Sequence, residues 1–212
     1  MNDSKQISVA VIKRLPRYYR YLGDLLENNI TRISSTELGR KMNVTASQIR
    51  QDLNNFGCFG QQGYGYNVET LYSEIKKILG LDKEYNMIVL GSGNIGQALV
   101  KYEGFKTRGF RIIALFDNNP SLIGSKIQDL AVTDIATLAD FIKKNQIDIA
   151  VLALPKNNAP DMAKIVIQHG IKAIWNFSSA DLRTPKDVIV ENVQLTDSLM
   201  TLSYQLNGFD AE

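Results

Sequence analysis

The stretch Met87-Ile88-Val89-Leu90-Gly91-Ser92-Gly93-Asn94-Ile95-Gly96 runs from four apolar residues straight into G-x-G-x-x-G. This is the pattern of a short buried strand turning into a helix, and its glycines have separate tasks. Gly91 permits the tight turn, Gly93 lets backbone approach a pyrophosphate, and Gly96 lets the following helix lie close to the strand. The free N–H groups of a loop and helix start built from Ser92, Asn94 and Ile95 then face the phosphates. Glycine turns are common, so the motif gains its meaning from the residues downstream of it. A second strand over 110–116 ends in Asp117, 21 residues beyond Gly96, where a carboxylate hydrogen-bonds an adenosine ribose diol. Asn118, Asn119 and Pro120 come next, with no Arg to neutralise a 2′-phosphate, so the pattern favours NAD(H) over NADP(H).

Further along, strand and helix patterns alternate. A helix over 94–102 reaches Tyr102, and the strand 110–116 comes after it. A short strand near 127–132 leads into a helix over 133–145. Then come a strand over 147–154, a helix over 159–169 closing at Gly170, and a strand over 171–176. Such alternation predicts an α/β fold with a parallel, doubly wound sheet of Rossmann type. Ligands of these sheets lie at the carboxyl ends of the strands, which selects Leu154-Pro155-Lys156 and Asn176-Phe177-Ser178-Ser179. A last helix over 198–206, capped by Thr196 or Asp197, carries Leu199, Leu202, Tyr204 and Leu206, too apolar to leave in water. Either a partner subunit or the chain's own sheet would cover them.

Upstream, about 80 residues have a different character. A helical apolar pattern covers 7–26, with Arg14, Arg17 and Arg20 among the apolar positions and Pro16 as a point for a bend or a helix start. Ser34 followed by Glu37 is a capping-box signature for a helix over 35–42, and Thr45 followed by Gln48 repeats it for a helix over 46–56. Two short helices joined this tightly form a helix-turn-helix, whose second helix enters the major groove of DNA. On that helix Ile49 and Leu53 would face the core, leaving Ser47, Gln48, Arg50, Gln51 and Asn54 outward. Arg reads guanine and Gln reads adenine bidentately. The segment 57–66 alternates glycine with aromatic and amide residues, which is hairpin chemistry. A hairpin after a recognition helix is a wing, and its tip, Gln61-Gln62-Gly63, would meet phosphates or a minor groove, with Tyr64 next to it as a further DNA contact. A helix over 68–79 stopping at Gly80 reads as the connector between domains.

Composition bounds these readings. With 212 residues, 44% of them hydrophobic, the chain can bury one or two cores. Residues 1–80 hold 11 Lys/Arg against 7 Asp/Glu and residues 81–212 hold 13 against 15, which points to the first part rather than the second as a polyanion binder, with a solvated charged surface as the alternative. The apolar runs fall far short of the roughly 20 residues that span a bilayer. No charged leader precedes an apolar core, which reads as a cytoplasmic protein. With one cysteine, Cys58, and one histidine, His169, there is no metal-ligand spacing and no internal disulfide. Cys58 reads as a packed turn residue, and any redox role must come from a bound cofactor.

Taken together, Gln48-Ile49-Arg50-Gln51-Asp52-Leu53, Phe56-Gly57, the wing residues Gly60, Gly63, Gly65 and Tyr66, the run Gly91 to Leu99, Phe116-Asp117 and Asn176-Phe177 closely resemble the bacterial redox-sensing repressors of the Rex family, from about Val9 to Leu206. The resemblance implies a winged-helix DNA-binding domain over 1–80, a Rossmann NAD(H)-binding domain over 81–195 and a C-terminal helix over 196–212 swapped between the subunits of a homodimer. It further implies double-stranded operator DNA as partner in the cofactor-free or NAD⁺-bound form, and release by NADH. The chain departs from the commonest family pattern in four places. Gln51 stands for a basic recognition-helix residue and Gln62 for a wing Arg. Gln194 and Leu195 stand where the family often has Asp and a Phe that approaches nicotinamide, which alters the usual salt-bridge switch involving Arg20 and Tyr102. Leu195 still offers apolar contact to a neutral nicotinamide.

Two other readings compete. A small NAD-dependent oxidoreductase with an accessory N-terminal domain would need an acid or base. His169 sits at a helix end as a cap, and no Tyr-x-x-x-Lys pair comes after the sheet. A nucleotide- or coenzyme A-binding module without a DNA role would leave the winged-helix pattern without a purpose.

Overall fold

A computed structural model describes residues 7–57, 59–61 and 64–208; Cys58, Gln62 and Gly63 lie outside the described residues. The chain forms two compact units, Met1–Lys83 and Glu84–Glu212.

The first unit opens with α1 (Val9–Glu27), whose N-cap Ser8 accepts from the Val11 N–H. Its buried residues Val11, Leu15, Tyr18, Leu22 and Leu25 recur every three or four positions, one apolar stripe of a helix. Pro16 neither starts nor ends α1. The carbonyl it leaves unpaired belongs to exposed Ile12, where water can replace the missing donor. After β1 (Arg32–Ile33) comes α2 (Ser35–Met42), and the capping box at its start is complete, with Ser34 Oγ accepting from the Glu37 N–H and the Glu37 carboxylate from the Ser34 N–H. The turn into α3 (Ala46–Asn54) is tight enough that a Cβ on Gly39 would lie 2.5 Å from the Val44 carbonyl oxygen.

The hairpin strands β2 (Gly60–Gln61) and β3 (Gly65–Asn67) pair antiparallel, with Gly60 opposite Tyr66. β1 pairs with the other edge of β3, giving the order β1-β3-β2. At Gly65, φ is +71° and a Cβ would stand 2.5 Å from the Ile33 carbonyl oxygen, so both backbone angle and close approach demand glycine. Next is α4 (Val68–Ile78). It belongs to the first unit: Val68, Leu71 and Ile75 are buried in the same core as Leu15, Leu22, Leu38, Ile49 and Leu53. Tyr72 also stacks on Tyr19 of α1 at 4.5 Å between centroids, their hydroxyls 2.7 Å apart. The connection between units therefore begins only after Gly80.

The second unit contains β4 (Tyr85–Leu90), α5 (Asn94–Lys101), a 3₁₀ segment Glu103–Arg108, β5 (Phe110–Asp117), β6 (Lys126–Ile127), β7 (Leu130–Asp134), a 3₁₀ turn Ile135–Thr137, α6 (Leu138–Lys144), β8 (Ile149–Leu152), α7 (Ala159–Gln168), β9 (Ala173–Asn176), β10 (Ile189–Asn192) and α8 (Leu195–Leu206). The sheet order is β10-β9-β8-β4-β5-β7-β6. All pairs are parallel except β6–β7. Along β4, Ile88 and Leu90 face one core with Phe116, Leu138 and Val166, while Met87 and Val89 face the other with Leu115, Val100 and Val151. That double burial explains why the strand reads as an unbroken apolar run.

Three expectations change. The strand near 127–132 is a hairpin, β6 and β7, turning through Gln128 at φ +52°. The edge strand β10 adds to the expected set, and Ile189-Val190-Glu191-Asn192 gives little sign of it with only two apolar residues. The last helix begins at Leu195 with Gln194 as N-cap, so Thr196 and Asp197 lie in its first turn and neither caps it. No residue of α8 is buried; Leu195, Leu199, Met200, Leu202, Tyr204 and Leu206 are all exposed.

Candidate functional site

The carboxyl ends of four adjacent strands form one edge of the sheet. The Gly91 N–H donates to the Phe116 carbonyl, the Ala153 N–H to Leu90 and the Phe177 N–H to Leu152, so the loops after β5, β4, β8 and β9 lie side by side. The three glycines of the loop after β4 divide as their spacing requires. Gly91 has φ +100°, and a Cβ there would collide with the Ala153 carbonyl oxygen; a Cβ on Gly96 would collide with the Gly91 carbonyl oxygen. Around Gly93 there is nothing within 4 Å of a Cβ. Gly91 and Gly96 are thus needed by the fold, whereas Gly93 keeps open a space that the protein itself does not fill. Gly93, Asn94 and Ile95 are exposed, and α5 starts with no side chain capping its N–H groups, so the loop presents donors and a partial positive charge to an anion.

Asp117 closes the other side. Its Oδ2 accepts from the buried Ser92 through both N–H (2.6 Å) and hydroxyl (2.7 Å), and its Oδ1 from the Asn119 N–H (2.9 Å). Burial pushes this carboxyl up, but the Ser92 donors and the Asn119 and Asn118 N–H groups outweigh it, and the net pKa is lowered. Asp117 is therefore ionised and already well supplied with donors. Of those donors only the Ser92 hydroxyl can rotate away, so it is the bond a ribose diol would displace. Open space at Gly93 beside an anchored carboxylate fits the ADP half of NAD(H).

The remaining expected pocket residues separate into lining and scaffold. Leu154 is half-buried against Gly91, Pro155 is exposed and Phe177 is half-buried. Asn176 and Ser178, expected to face a ligand, are buried, and their side chains bond to each other and to the loop, so they hold the loop's shape instead. Tyr102 is exposed at the end of α5, edge-on to Phe105. Leu195 stands in the first turn of α8, 61% exposed.

On the first unit, Ile49 and Leu53 point inward and Ser47, Arg50, Gln51 and Asn54 are exposed on α3. Arg50 Nη1 donates to Ser35 Oγ at 3.0 Å, which holds the guanidinium over the start of α2. Thr45 Oγ1 accepts from the Gln48 N–H at 3.1 Å, but the second capping box is only half formed. The Gln48 amide turns instead to Asp52 Oδ1, at 2.7 Å. Asp52 has no exposure at all and also receives Arg14 bidentately (2.6 and 2.8 Å) and the Tyr18 hydroxyl (2.7 Å).

Arg14, expected at the DNA, is here the counter-ion of the buried carboxylate on α3. Arg17 donates to the Met42 carbonyl at 2.9 Å, satisfying the end of α2. Arg20 remains exposed. Tyr64 is exposed, with the Arg32 guanidinium 5.7 Å from its ring centroid. Arg32 carries no signal in the sequence because β1 is two residues long and has no readable period. Of the expected wing tip, Gln61 ends β2, and Gln62 and Gly63 lie outside the described residues. Among the described residues no group of three His, Cys, Asp or Glu side chains could hold a metal ion, and no helix is long and apolar enough to cross a membrane.

A winged helix-turn-helix unit joined in one chain to a parallel nucleotide-type sheet defines a DNA-binding regulator that answers to a nucleotide. Residues 6–54 match the family described as Putative DNA-binding protein N-terminus and residues 82–180 the CoA binding domain. The Redox-sensing transcriptional repressor Rex of Thermoanaerobacter pseudethanolicus is 60% identical over 98% of this chain and 92% of its own length, and that of Clostridioides difficile is 62% identical over 96% and 97%. Among solved structures, RSP in complex with β-NAD⁺ and operator DNA superimposes with a TM-score of 0.91 at 60% identity, covering 95% of this chain and 93% of that one. RSP with β-NADH gives 0.90 at 56%, covering 96% of each. The chain belongs to the Rex family of redox-sensing transcriptional repressors. Its relatives are named repressors and not dehydrogenases, which sets the oxidoreductase reading aside.

Proposed function

We propose that this protein is a cytoplasmic, homodimeric repressor that holds operator DNA through α3 and the wing, with NAD⁺ or no cofactor bound, and lets go when NADH binds. The observation that carries the reading is the open cradle at Gly93 beside ionised Asp117, in the same chain as a helix that exposes Arg50, Gln51 and Asn54. RSP, a close relative, has been crystallised with each form of the cofactor and with operator DNA. The exposed apolar side chains of Leu195, Leu199, Met200, Leu202 and Leu206 on α8 support a second copy of the chain as their cover.

A cofactor in the sheet-edge loops acts on DNA only by preferring one arrangement of the dimer over another. Reduction removes one positive charge from the nicotinamide ring. An apolar lining of Phe177, the Pro155 turn and the second copy's Leu195 would disfavour the charged ring and favour the neutral one. The direct test is fluorescence anisotropy of a labelled duplex carrying the RSP operator. NADH should release it and NAD⁺ should not; a complex that survives saturating NADH sinks the proposal.

Single residues carry two of the expected outcomes. Asp117 should make NADPH bind on the order of tenfold or more weakly than NADH, because like charges near 4 Å apart at a protein surface repel by a few kcal/mol before screening. Equal affinities by calorimetry would remove Asp117 from the ribose site. Arg50→Ala should weaken operator binding by about 1–3 kcal/mol and relax preference at one base pair. Equal weakening on operator and random DNA would make Arg50 a phosphate contact.

A further inference from the structure

We propose that the Asn176 side chain, through Asn192, is the positioning element that couples the cofactor loops to the C-terminal helix. This rests on the NADH-released repressor reading above. Asn176 is the last residue of β9, at the ligand edge of the sheet, and is fully buried. Its amide has no spare capacity. Oδ1 accepts from the Ser178 N–H at 3.0 Å and hydroxyl at 2.6 Å; Nδ2 donates to the Ala180 carbonyl at 2.9 Å and to Asn192 Oδ1 at 2.8 Å. The loop between them includes Ser179 at φ +56°, a left-handed backbone that a serine adopts only when its surroundings enforce it. Three of the four bonds fix this loop.

The fourth bond leaves the loop. Asn192 closes β10 in register with Asn176, and the next residue, Val193, donates its N–H to the Asn176 carbonyl at 2.8 Å. Gln194 then caps α8 without a side-chain bond, and no residue of α8 is buried. What sets the departure of α8 is therefore the end of the β9–β10 ladder and this one amide. A ligand pressing on Phe177 moves the loop that Asn176 holds, and the same side chain pulls on the strand end from which α8 leaves. Val190 also ties β10 to the core by apolar packing, but the strand's end at Asn192 is exposed, and there the bond to the Asn176 amide is the side-chain link.

The test replaces Asn192, a residue of β10 outside α3, the wing and the glycine loop. Asn192→Ala and Asn192→Leu remove the acceptor, while Asn192→Asp keeps an oxygen for the Asn176 N–H. The readout is the coupling factor, the operator Kd at saturating NADH divided by the Kd without cofactor, measured beside the dimer state by sedimentation. For the alanine and leucine variants the coupling factor should fall at least fivefold, with NADH affinity, cofactor-free operator affinity and dimer each within about threefold of wild type. The aspartate variant should restore it. A purely structural staple would lower thermal stability and leave the coupling factor alone, and that result would overturn the proposal. So would loss of NADH binding or of the dimer in the alanine variant, since the bond would then shape the pocket or hold the interface. A wild-type protein that shows no coupling refutes the repressor reading itself, and with it this inference.

Discussion

Asp52→Ala is expected to unfold the N-terminal unit while leaving the C-terminal unit able to bind NADH. Asp52 is buried on the recognition helix, and its two oxygens satisfy Arg14, Tyr18 and Gln48. Truncation leaves a guanidinium only 24% exposed without its counter-ion and a fully buried phenol without an acceptor. Breaking such a pair from one side destabilises by about 3–5 kcal/mol, a large share of the roughly 5–15 kcal/mol typical of a whole domain. Operator binding should vanish with the unit. Urea unfolding monitored by far-ultraviolet circular dichroism, with NADH binding as the control for the second unit, checks it. A loss below about 1 kcal/mol would mean that the network contributes little beyond an ordinary hydrogen bond.

The same carboxylate sets a pH dependence. Burial raises its pKa, but the hydrogen bonds from Arg14, Tyr18 and Gln48 and the charge of Arg14 bring the net value below the usual one. A depressed folded pKa stabilises the folded state fully above the unfolded value of about 3.9 and loses that stabilisation as pH falls through the folded value. The N-terminal unit should therefore weaken in acid below about pH 4, which urea unfolding at stepwise lower pH checks.

The second large effect separates glycines that look alike in sequence. Gly96→Ala should collapse the C-terminal unit, because its methyl group would occupy the position of the Gly91 carbonyl oxygen, a backbone atom that cannot step aside. Gly93→Ala should fold normally, with open space around the new methyl and an ordinary φ of −69°, yet bind NADH at least a hundredfold more weakly. Trp175, the only tryptophan, lies edge-on to Phe177 at 4.7 Å between centroids, so its emission offers a direct readout of binding. Retained NADH affinity in Gly93→Ala would place the pyrophosphate elsewhere.

These contrasts show where sequence reading reaches. The strand and glycine turn, Asp117, the two helix starts at Ser34 and Thr45 and the hairpin are legible, because each depends on a local rule of period, cap or turn. β1 and β10 are not, since two residues show no period and a half-polar edge strand has one face open to solvent. Arg14, Gln48 and Asn176 depart from their expected roles for a common reason. Their partners are Asp52, on another helix or a turn away, and a network folded back within the loop after β9, and a polar side chain carries no mark in sequence that separates an internal partner from an external one. Gly39 gives no signal either, because its close approach to Val44 exists only once the helix-turn-helix has formed.

The most direct measurement is the closed thermodynamic cycle: the affinity for the operator with and without saturating NADH, and the affinity for NADH with and without saturating operator. If NADH acts by preferring a dimer arrangement that does not fit DNA, linkage requires the two ratios to be equal. Both ratios should exceed about tenfold and agree within error, while NAD⁺ should give ratios near one. NADH that binds tightly while leaving operator affinity unchanged would contradict the redox switch for this chain, whatever its relatives do.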